Sequence, residues 1–534
     1  MPALPQPQSS GLQLFGDFGV AGGEDIAPNP LQDNQICSNF YAEVNKQNAK
    51  EILGLLGCPG LLQQAAVPGG GAPAFSNTQT AWAPPSSIVN LPVRGMYALP
   101  GGLLSLVVVA NTCYLLTQTP GFSGPTFTLS AVGTLLTSTG PVVMVANNGV
   151  DYGVTGTVVG TVAIVDGPYG YWYNYLTGSF QQITDPNFLG ADRVVCIDGW
   201  FVFNQPGTQA FYTPIRPYGL VFGSFFALKD GAPDNLVTIF ANKEMLWLVG
   251  ESSTEVWYNA GGQYFPFQRL VGTLMQTGCK AKHSIARFSD GGNDGVIWFG
   301  RSERGENLIV KTSGFSVQTV STPAFSTAVS KYITTSDAIG YSYQEDTHEF
   351  YVLTFPSADE TWVYDSQSGY LHKRPSYDPY SQQRHRHRSN CFMNFAGMRL
   401  VGDYQCGAIF QLTRNVYTDA GWPLLAHRRS PHVWDKGQRG RVFMASLQLD
   451  FAVGQGNSSG LGTTPVAKLK ISRDGGRTFG QQWPASMGAQ GQFRTRTMWR
   501  RLGFGRDNVV DLEVIDPVNR DLVGATLKAF SSAA

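Results

Sequence analysis

The densest run of side chains that can hold an anion or a proton is Arg384-His385-Arg386-His387-Arg388. Guanidinium groups at alternate positions could contact phosphate or line a DNA channel, or they could meet an acidic neighbouring subunit. The imidazoles between them could also bind an adventitious metal ion. Because the run is only five residues long, a solvated or interface loop is the favoured interpretation.

A second basic stretch holds Arg494, Arg496, Arg500 and Arg501 around Trp499. In a strand, Arg494 and Arg496 would lie on one face. They could form a basic stripe on a channel or interface, or an exposed sheet face whose arginine stems pack on aromatic rings. The sequence favours neither alternative. The candidate channel or interface residues are therefore Arg384, Arg386, Arg388, Arg494, Arg496, Arg500 and Arg501.

No set of residues has the spacing of a catalytic or cofactor site. Glycoside hydrolysis needs two carboxylates about 5–9.5 Å apart, and no such pairing is visible among Asp346, Glu349, Asp359 and Glu360. A site assembled from distant segments would escape this test. Nucleotide-binding, zinc-protease and serine-hydrolase motifs are absent from the sequence. We predict no enzymatic activity, no cofactor and no metal.

The seven cysteines, an odd number, are widely spaced and form no CxxC pair. They predict reduced thiols and folding in a cytosol. The amino terminus has no basic and apolar signal-peptide pattern. The longest apolar run, Leu103 to Ala110, is too short for a membrane span, which takes about 20 residues as a helix.

Composition predicts an all-β protein. Charged residues make up only 14% of the chain and aromatic residues 12%, with 62 glycines and 31 prolines among 534 residues. This mixture is typical of turn-rich antiparallel sheets and unlike helical surfaces. The formal net charge is zero, so nothing global drives nucleic-acid binding, and a surface so poor in charge suits burial in an assembly.

Seven hairpin-like segments repeat at a spacing of roughly 50 residues, the period of propeller blades. Each has two runs rich in β-branched and aromatic residues around a turn. They cover residues 103–117, 162–175, 198–213, 244–259, 295–311, 349–365 and 398–413. We predict a β-propeller of six or seven blades; the alternative is a set of unrelated hairpins in ordinary sandwiches.

The pattern changes after about residue 415, where five alternating strands predict a small antiparallel β-sandwich. There, Ser472 to Phe479 fits the Asp-box pattern S-x-D-x-G-x-T-[WF], which we interpret as a structural hairpin. The expected organisation has three parts. Residues 1–92 form an irregular, extended segment and connector, residues 93–415 the propeller, and residues 416–534 the carboxy-terminal β-rich domain.

Several stretches, in order along nearly the whole chain, resemble one family. They include SNFYAEVN (38–45), GCPGL (57–61), PVRGMYAL (92–99) and GPVVMVANNG (140–149). Longer stretches of resemblance are residues 181–212, LWLVGESSTEVWYN (246–259), FYVLTFPSADETWVYD (350–365), LVGDY (400–404) and residues 498–517. The chain resembles the packaged-DNA stabilisation, or tail hub (nozzle), proteins of short-tailed bacteriophages, and departs from them at the amino terminus and at 384–388.

The resemblance implies a structural protein of the virion tail that is made in the host cytoplasm. It implies a ring, expected to be a homohexamer, below the portal and its adaptor ring and in contact with the tail needle, fibres or spikes. Double-stranded DNA would pass through the ring without sequence-specific contacts. The ring would help retain packaged DNA and take part in genome ejection. The rival hypothesis is a carbohydrate-binding or glycan-cleaving propeller for host recognition.

Overall fold

The computed structural model describes residues 13–15, 20–29, 31–44, 53–71, 90–121, 124–147, 160–216, 221–262, 265–302, 305–435 and 440–531. These residues form a β-propeller and a β-sandwich, as predicted. The described part of the chain contains no helix with the length and apolarity that a bilayer crossing requires.

The segment that we expected to be an irregular connector contains strands that belong to both domains. They are β1 (Gln13–Phe15), β2 (Asp25–Ile26), β3 (Asn34–Ser38), β4 (Phe40–Val44), β5 (Leu53–Gly57) and β6 (Gly60–Ala66). Each pairs with a strand far along the chain or with a neighbour that does so. The stretch 72–89, predicted as an extended connector, lies outside the described residues.

The first four propeller blades are four-stranded antiparallel sheets that run in chain order. Blade 1 is β7 (Val93–Ala98), β8 (Leu104–Val109), β9 (Thr112–Thr119) and β10 (Thr126–Thr134). Blade 2 is β11 (Val143–Ala146), β12 (Thr161–Asp166), β13 (Tyr169–Asn174) and β14 (Ser179–Gln182). Blade 3 is β15 (Val194–Ile197), β16 (Trp200–Asn204), β17 (Ala210–Pro214) and β18 (Phe222–Leu228). Blade 4 is β19 (Leu236–Asn242), β20 (Met245–Gly250), β21 (Thr254–Asn259) and β22 (Phe267–Arg269).

Blade 5 has a divided inner strand, β23 (Gly278–Cys279) and β24 (Ala286–Asp290), followed by β25 (Asn293–Ser302), β26 (Gly305–Ser313) and β27 (Ser316–Thr319). The short helix α1 (Pro323–Val329), capped by Thr322, leads to the next blade. Blade 6 is β28 (Ile339–Glu345), β29 (His348–Phe355), β30 (Glu360–Asp365) and β31 (Leu371–Lys373). The hairpin β32 (Ser376–Asp378) and β33 (Gln383–His385) follows it.

Blade 7 is made from both ends of the propeller sequence. Its first three strands are β34 (Ser389–Phe395), β35 (Met398–Asp403) and β36 (Ala408–Thr413), and its outer strand is β6. The antiparallel pairing runs from Gly60 opposite Thr413 to Ala66 opposite Ala408. On its inner side the blade meets blade 1, where Asn390 Nδ2 donates a hydrogen bond to the Val93 carbonyl at 2.8 Å. The described residues therefore form a closed ring of seven blades.

Apolar packing between neighbouring blades holds the ring together. A separate buried cluster fills each of the seven junctions, including the one between blades 7 and 1. The middle strands of a blade are covered on both faces, so β20 (MLWLVG) is apolar almost throughout. Outer strands have one open face, and β18 alternates between partly covered and exposed positions.

The carboxy-terminal strands, with part of the amino-terminal segment, build the sandwich. After β37 (Thr418–Asp419) and β38 (Trp422–Pro423), which extend the sheet of blade 7, come β39 (Ala426–Arg429), β40 (Val433–Trp434), β41 (Val442–Phe451), β42 (Val466–Ser472), β43 (Trp483–Ser486), β44 (Thr497–Gly505), β45 (Asp507–Val514) and β46 (Leu522–Ser531). One sheet has the order β4-β5-β46-β41-β44, and the other β3-β39-β45-β42-β43. A single apolar core lies between them.

The amino-terminal segment also connects the sandwich to blade 6 through hydrogen bonds. Glu43 on β4 meets His348 on β29, with 2.6 Å between Glu43 Oε2 and His348 Nε2. His348 Nδ1 lies 2.9 Å from Asp365 Oδ1 on β30. Burial by itself lowers the pKa of His348, but the hydrogen bonds and charges of Asp365 and Glu43 outweigh it and raise the pKa. The imidazole thus bridges two carboxylates from different domains, and both carboxylates favour its protonated form.

The closing strand β6 supplies a matched pair of neighbours for a stability test. Leu61 is 2% exposed and packs in the core between blades 6 and 7, whereas Leu62 is 44% exposed. We expect Leu61→Ala to lower the free energy of unfolding by about 2–5 kcal/mol because it leaves a cavity. Leu62→Ala should change it by less than about 0.5 kcal/mol. Denaturant unfolding followed by tryptophan fluorescence measures both, and equal effects would contradict the role of β6 in closing the ring.

The His348 bridge predicts a pH-dependent contribution to stability. Since the folded-state pKa is raised, the contribution is complete below the unfolded pKa of about 6.5 and disappears as pH rises through the folded-state value. The difference in Tm between the native chain and His348→Gln should therefore be largest near about pH 5.5 and shrink towards about pH 9. A difference that stays constant across this range would show that the imidazolium charge contributes nothing.

Candidate functional site: the propeller mouth and an arginine-rich sandwich edge

The basic run at residues 384–388 does not form one continuous charged loop. Arg384 is exposed on β33, and its Nη2 donates a hydrogen bond to His427 Nδ1 of the sandwich at 2.8 Å. His385 Nδ1 lies 2.7 Å from Asp359 Oδ2 in the turn between β29 and β30. The first half of the run therefore connects the hairpin β32–β33 to the sandwich and to blade 6.

The second half of the run enters blade 7. Arg388 is buried, and its Nε donates to Asp403 Oδ2 at 2.6 Å. His387 is also buried, and burial together with the charges of Arg374 and Arg388 lowers its pKa to about 3, so the ring is neutral. Arg386 is partly buried, with its guanidinium carbon 3.9 Å from the centre of the Tyr404 ring. Because Arg388 is buried and paired with Asp403, its charge is not available to a partner molecule.

Arg386 reaches a cavity of about 630 Å³ at one end of the propeller axis. The walls come from blades 1, 2, 3, 5, 6 and 7, at the end where their inner strands begin. Among the lining residues are Arg94, Asp166, Asp192, Lys282, His283, Asp337, Asn390 and Tyr404. This propeller mouth is where the ring brings together side chains that lie up to about 300 residues apart in the sequence.

Opposite charges at the propeller mouth are paired. Arg94 and Asp166 form a buried ion pair of 2.5 Å between blades 1 and 2, and Thr137 donates to the other Asp166 oxygen. Lys282 of blade 5 bonds Asp192 of blade 3 at 2.6 Å. These bridges connect different blades across the inner edge of the ring. They also leave the cavity with matched charges instead of an acidic cluster.

The second basic stretch differs from the predicted strand at its start. We expected Arg494 and Arg496 on one face of a strand, but β44 begins only at Thr497 and both residues lie in the irregular segment before it. A turn over Gly488 to Thr495 causes this, with Gly488 and Gly491 at positive φ. Both arginines are exposed, so they remain accessible, but no common strand face aligns them.

Arg500 and Arg501 lie on β44, which is the edge strand of its sheet. The pairing with β41 slips between Met444 and Ser446, and Arg501 takes a positive φ of 59°. Between these pairs Arg501 and Leu502 lie opposite the single residue Ala445, and the break in alternation leaves the consecutive side chains of Arg500 and Arg501 both exposed. None of Arg494, Arg496, Arg500 and Arg501 has a carboxylate partner among the described residues. We call these four residues the arginine edge.

Beside the arginine edge lies an exposed aromatic stack that sequence reasoning missed. The Phe443 ring centre lies 5.1 Å from that of Phe504 and 5.2 Å from that of Phe530, on three adjacent strands. Arg441 covers Phe504 at 5.2 Å. The sequence could have indicated that Phe443, Phe504 and Phe530 each point outward from a strand. Only the strand register shows that the three rings meet.

Two features in the sandwich have structural explanations. In the Asp-box turn, Asp474 Oδ1 accepts hydrogen bonds from the Arg477 and Thr478 amides, which is consistent with a structural hairpin. His427, Asp511 and Glu513 have ligand atoms within 4.8 Å of one another, as a metal site would. However, Arg429 bonds Asp511 at 2.8 Å and Lys470 bonds Glu513 at 3.2 Å, so cationic side chains already balance both carboxylates.

Comparison with protein families matches both domains in order. The family described as "Bacteriophage P22 Gp10, beta-propeller" matches residues 133–417, and "Bacteriophage P22 Gp10, beta-sandwich" matches residues 427–528. The chain belongs to the bacteriophage P22 Gp10 family. It is therefore a structural component of a phage tail, from a family of tail hub and packaged-DNA stabilisation proteins. The resemblance read from the sequence is confirmed.

Among solved structures the similarity is limited. The N-terminal domain of Nup159 matches with 10% identity and a TM-score of 0.33, over 70% of this chain and 98% of that one. A chain of the Mitotic Checkpoint Complex matches with 9% identity and a TM-score of 0.37, over 70% and 99%. YCF48 bound to a D1 peptide matches with 13% identity and a TM-score of 0.34, over 64% and 97%. A search of the curated proteins finds no match.

Because Arg388 is buried and Arg384 is exposed, we expect their substitution to change the free energy of unfolding by different amounts. Arg388→Ala would leave Asp403, which is fully buried, without its cation, so we expect a loss of about 3–5 kcal/mol in unfolding free energy. Arg384→Ala removes one partly exposed hydrogen bond and should cost about 1 kcal/mol or less. Chemical denaturation of the two variants tests this, and a mild effect of Arg388→Ala would mean that the buried pair is not structural.

Proposed function

We propose that the chain is a ring subunit of a short phage tail, a nozzle or hub that extends or closes the DNA exit channel. The ring helps to retain packaged DNA and takes part in ejection. The observation that carries this proposal is the ordered match of the Gp10 family to both domains. The expected ring contains six copies and docks to the portal adaptor, and it contacts needle, fibre or spike proteins.

Synthesis in the host cytoplasm, followed by assembly into the virion, is part of this proposal. All seven cysteines are free, and five of them are buried. Burial raises the pKa of the Cys37 thiol to about 12, so it stays protonated and unreactive. A fold that needs no oxidation can form in a reducing compartment.

We propose further that the protein has no catalytic activity of its own. The rival hypothesis includes glycan cleavage, which would need two available carboxyl groups. One would act as the acid and the other as the nucleophile or base. At the propeller mouth, Asp166 and Asp192 are held by Arg94 and Lys282, and Asp337 accepts the Ser357 amide. Charge pairing of this kind suits a rigid structural ring.

The arginine edge is the part of the described surface that we propose as a subunit contact. Its side chains lie on an edge strand, next to the aromatic stack of Phe443, Phe504 and Phe530. Guanidinium groups beside exposed aromatic rings are common in protein interfaces. The propeller supplies a rigid body that carries this edge to the same position in every copy.

Solution mass of the purified chain, alone and mixed with its adaptor–portal complex, tests the proposal. Assembly of about six copies on the complex, even from free monomers, is the expected result. A chain that stays monomeric or trimeric, ignores the complex and releases sugars from host glycans would overturn it and support the rival hypothesis.

Charge reversal at the arginine edge separates assembly from folding. We expect Arg500→Glu with Arg501→Glu to weaken ring assembly by about tenfold or more while leaving the Tm nearly unchanged, since both side chains are exposed. Arg287→Glu, at an exposed arginine of blade 5 that pairs with Asp294, is the control and should assemble normally. If the double variant assembles as well as the control, the edge is not a contact.

A further inference from the structure

Blade 3 has an outer strand whose exposed side chains are apolar. β18 pairs with β17 on one side and with no strand of the described residues on the other. Phe226 and Leu228 are 58% and 46% exposed, and they lie on one face because they are two residues apart. The outer strands of blades 1, 2 and 5 expose mostly polar side chains, such as Thr128, Gln181 and Gln318.

The backbone of β18 is also open at this edge. The Lys229 amide donates to the Gln209 carbonyl at 2.9 Å, so Ala227 and Lys229 bond inward to β17. Inward bonds fall on alternate residues of an antiparallel pair, so Phe226 and Leu228 direct their amide and carbonyl groups away from β17. Proteins usually protect such an edge with charged residues or proline. The sequence of β18, FGSFFAL, contains neither.

Acidic side chains lie at the end of this apolar edge. Asp230 directly follows Lys229, its side chain is 70% exposed, and its contact with Arg269 is long, at 3.5 Å. Lys229 Nζ donates to Ser253 Oγ at 2.6 Å, which holds the turn between β20 and β21 beside the end of β18. Glu251 in that turn is exposed and has no ion pair among the described residues. We call Phe226, Leu228, Asp230 and Glu251 the rim patch.

The rim patch and the arginine edge lie at opposite ends of the molecule. The sandwich meets the propeller beside blades 6 and 7, where β3 pairs with β31 and Glu43 meets His348. Blade 3 is three blades away from blade 6 in one direction and from blade 7 in the other, so it lies across the ring axis. In the sandwich, β4 lies next to blade 6, and β44 forms the opposite edge of the same sheet.

We propose that the rim patch binds the arginine edge and the aromatic stack of a neighbouring copy of the chain. This inference rests on the tail-ring proposal and names the two surfaces that meet in each contact. Because they lie at opposite ends of one molecule, the contact is head-to-tail, the kind that generates a ring when the rotation between copies closes.

A second copy fits the rim patch in both charge and polarity. The arginine edge has four guanidinium groups that no carboxylate of the described residues balances, and the rim patch supplies two exposed carboxylates. The exposed rings of Phe504 and Phe530 match the exposed side chains of Phe226 and Leu228. A contact between copies therefore pairs the charges and covers the apolar side chains of both surfaces.

Exchange of charge between two variants tests whether these surfaces meet. The rim variant carries Asp230→Arg and Glu251→Arg, and the edge variant carries Arg500→Glu and Arg501→Glu. Each variant alone should assemble on the adaptor–portal complex about tenfold or more weakly than the native chain, because every contact then joins like charges. An equimolar mixture should restore assembly, since the two variants can alternate around a ring of even number with opposite charges at every contact.

Two further variants control for folding and for net charge. Glu244→Arg with Glu306→Arg reverses two exposed acids of blades 4 and 5 outside the rim patch, and it should assemble like the native chain. Phe226→Ser changes no charge but removes an exposed ring, and it should weaken assembly by about tenfold. Thermal unfolding should give each variant a Tm near the native value, because the substituted side chains are exposed.

The outcomes separate this inference from the tail-ring proposal. If the native chain forms a ring and the rim variant assembles as well as the Glu244 and Glu306 control, the inference fails and the tail-ring proposal stands. If both variants fail alone and their mixture also fails, the two surfaces have different partners and the inference is wrong. If the native chain does not assemble on the complex, the tail-ring proposal fails and the inference fails with it.

Discussion

The pairing of β6 with β36 is the constraint on which the rest of the structure depends. A propeller is stable only when its last blade meets its first, and here the last blade takes its outer strand from residues 60–66. As a consequence, the residues that precede β6 run along the outside of blades 6 and 7. There β3, β4 and β5 join the sandwich sheets, and Glu43 meets His348. One segment thus closes the ring and fixes the second domain against it.

Buried charge is placed where blades and domains meet. Arg94 with Asp166 joins two blades, Arg388 with Asp403 lies inside blade 7, and Glu43, His348 and Asp365 join the domains. A buried pair contributes little net stability compared with apolar packing, but a misplaced partner is costly, so such pairs favour one arrangement over others. This is a useful property for the ring subunit that we propose, since every copy in a ring must have the same shape. The arginine edge, by contrast, carries charge that no carboxylate of the described residues balances.

The hairpins predicted from the sequence are the two middle strands of each blade. These strands are covered on both faces, so they appear as apolar runs such as those of β20 and β29. Outer strands such as β14 (SFQQ) are short and polar and give no such signal. The role of β6 was hidden because its partner lies about 350 residues away in the sequence. Sequence also could not separate Arg388 from Arg386, since only the fold brings Asp403 to one and Tyr404 to the other.

Family membership makes the chain a tail structural protein, and our account adds that it works as a rigid repeated subunit whose arginine edge faces a neighbour. Electron cryomicroscopy of assembled virions tests this claim most directly. The account predicts seven-bladed propellers and sandwiches repeated around the tail axis, with Arg500 and Arg501 buried against an adjacent protein. A tail map in which this chain forms no ring, or in which the arginine edge faces solvent in every copy, would contradict it.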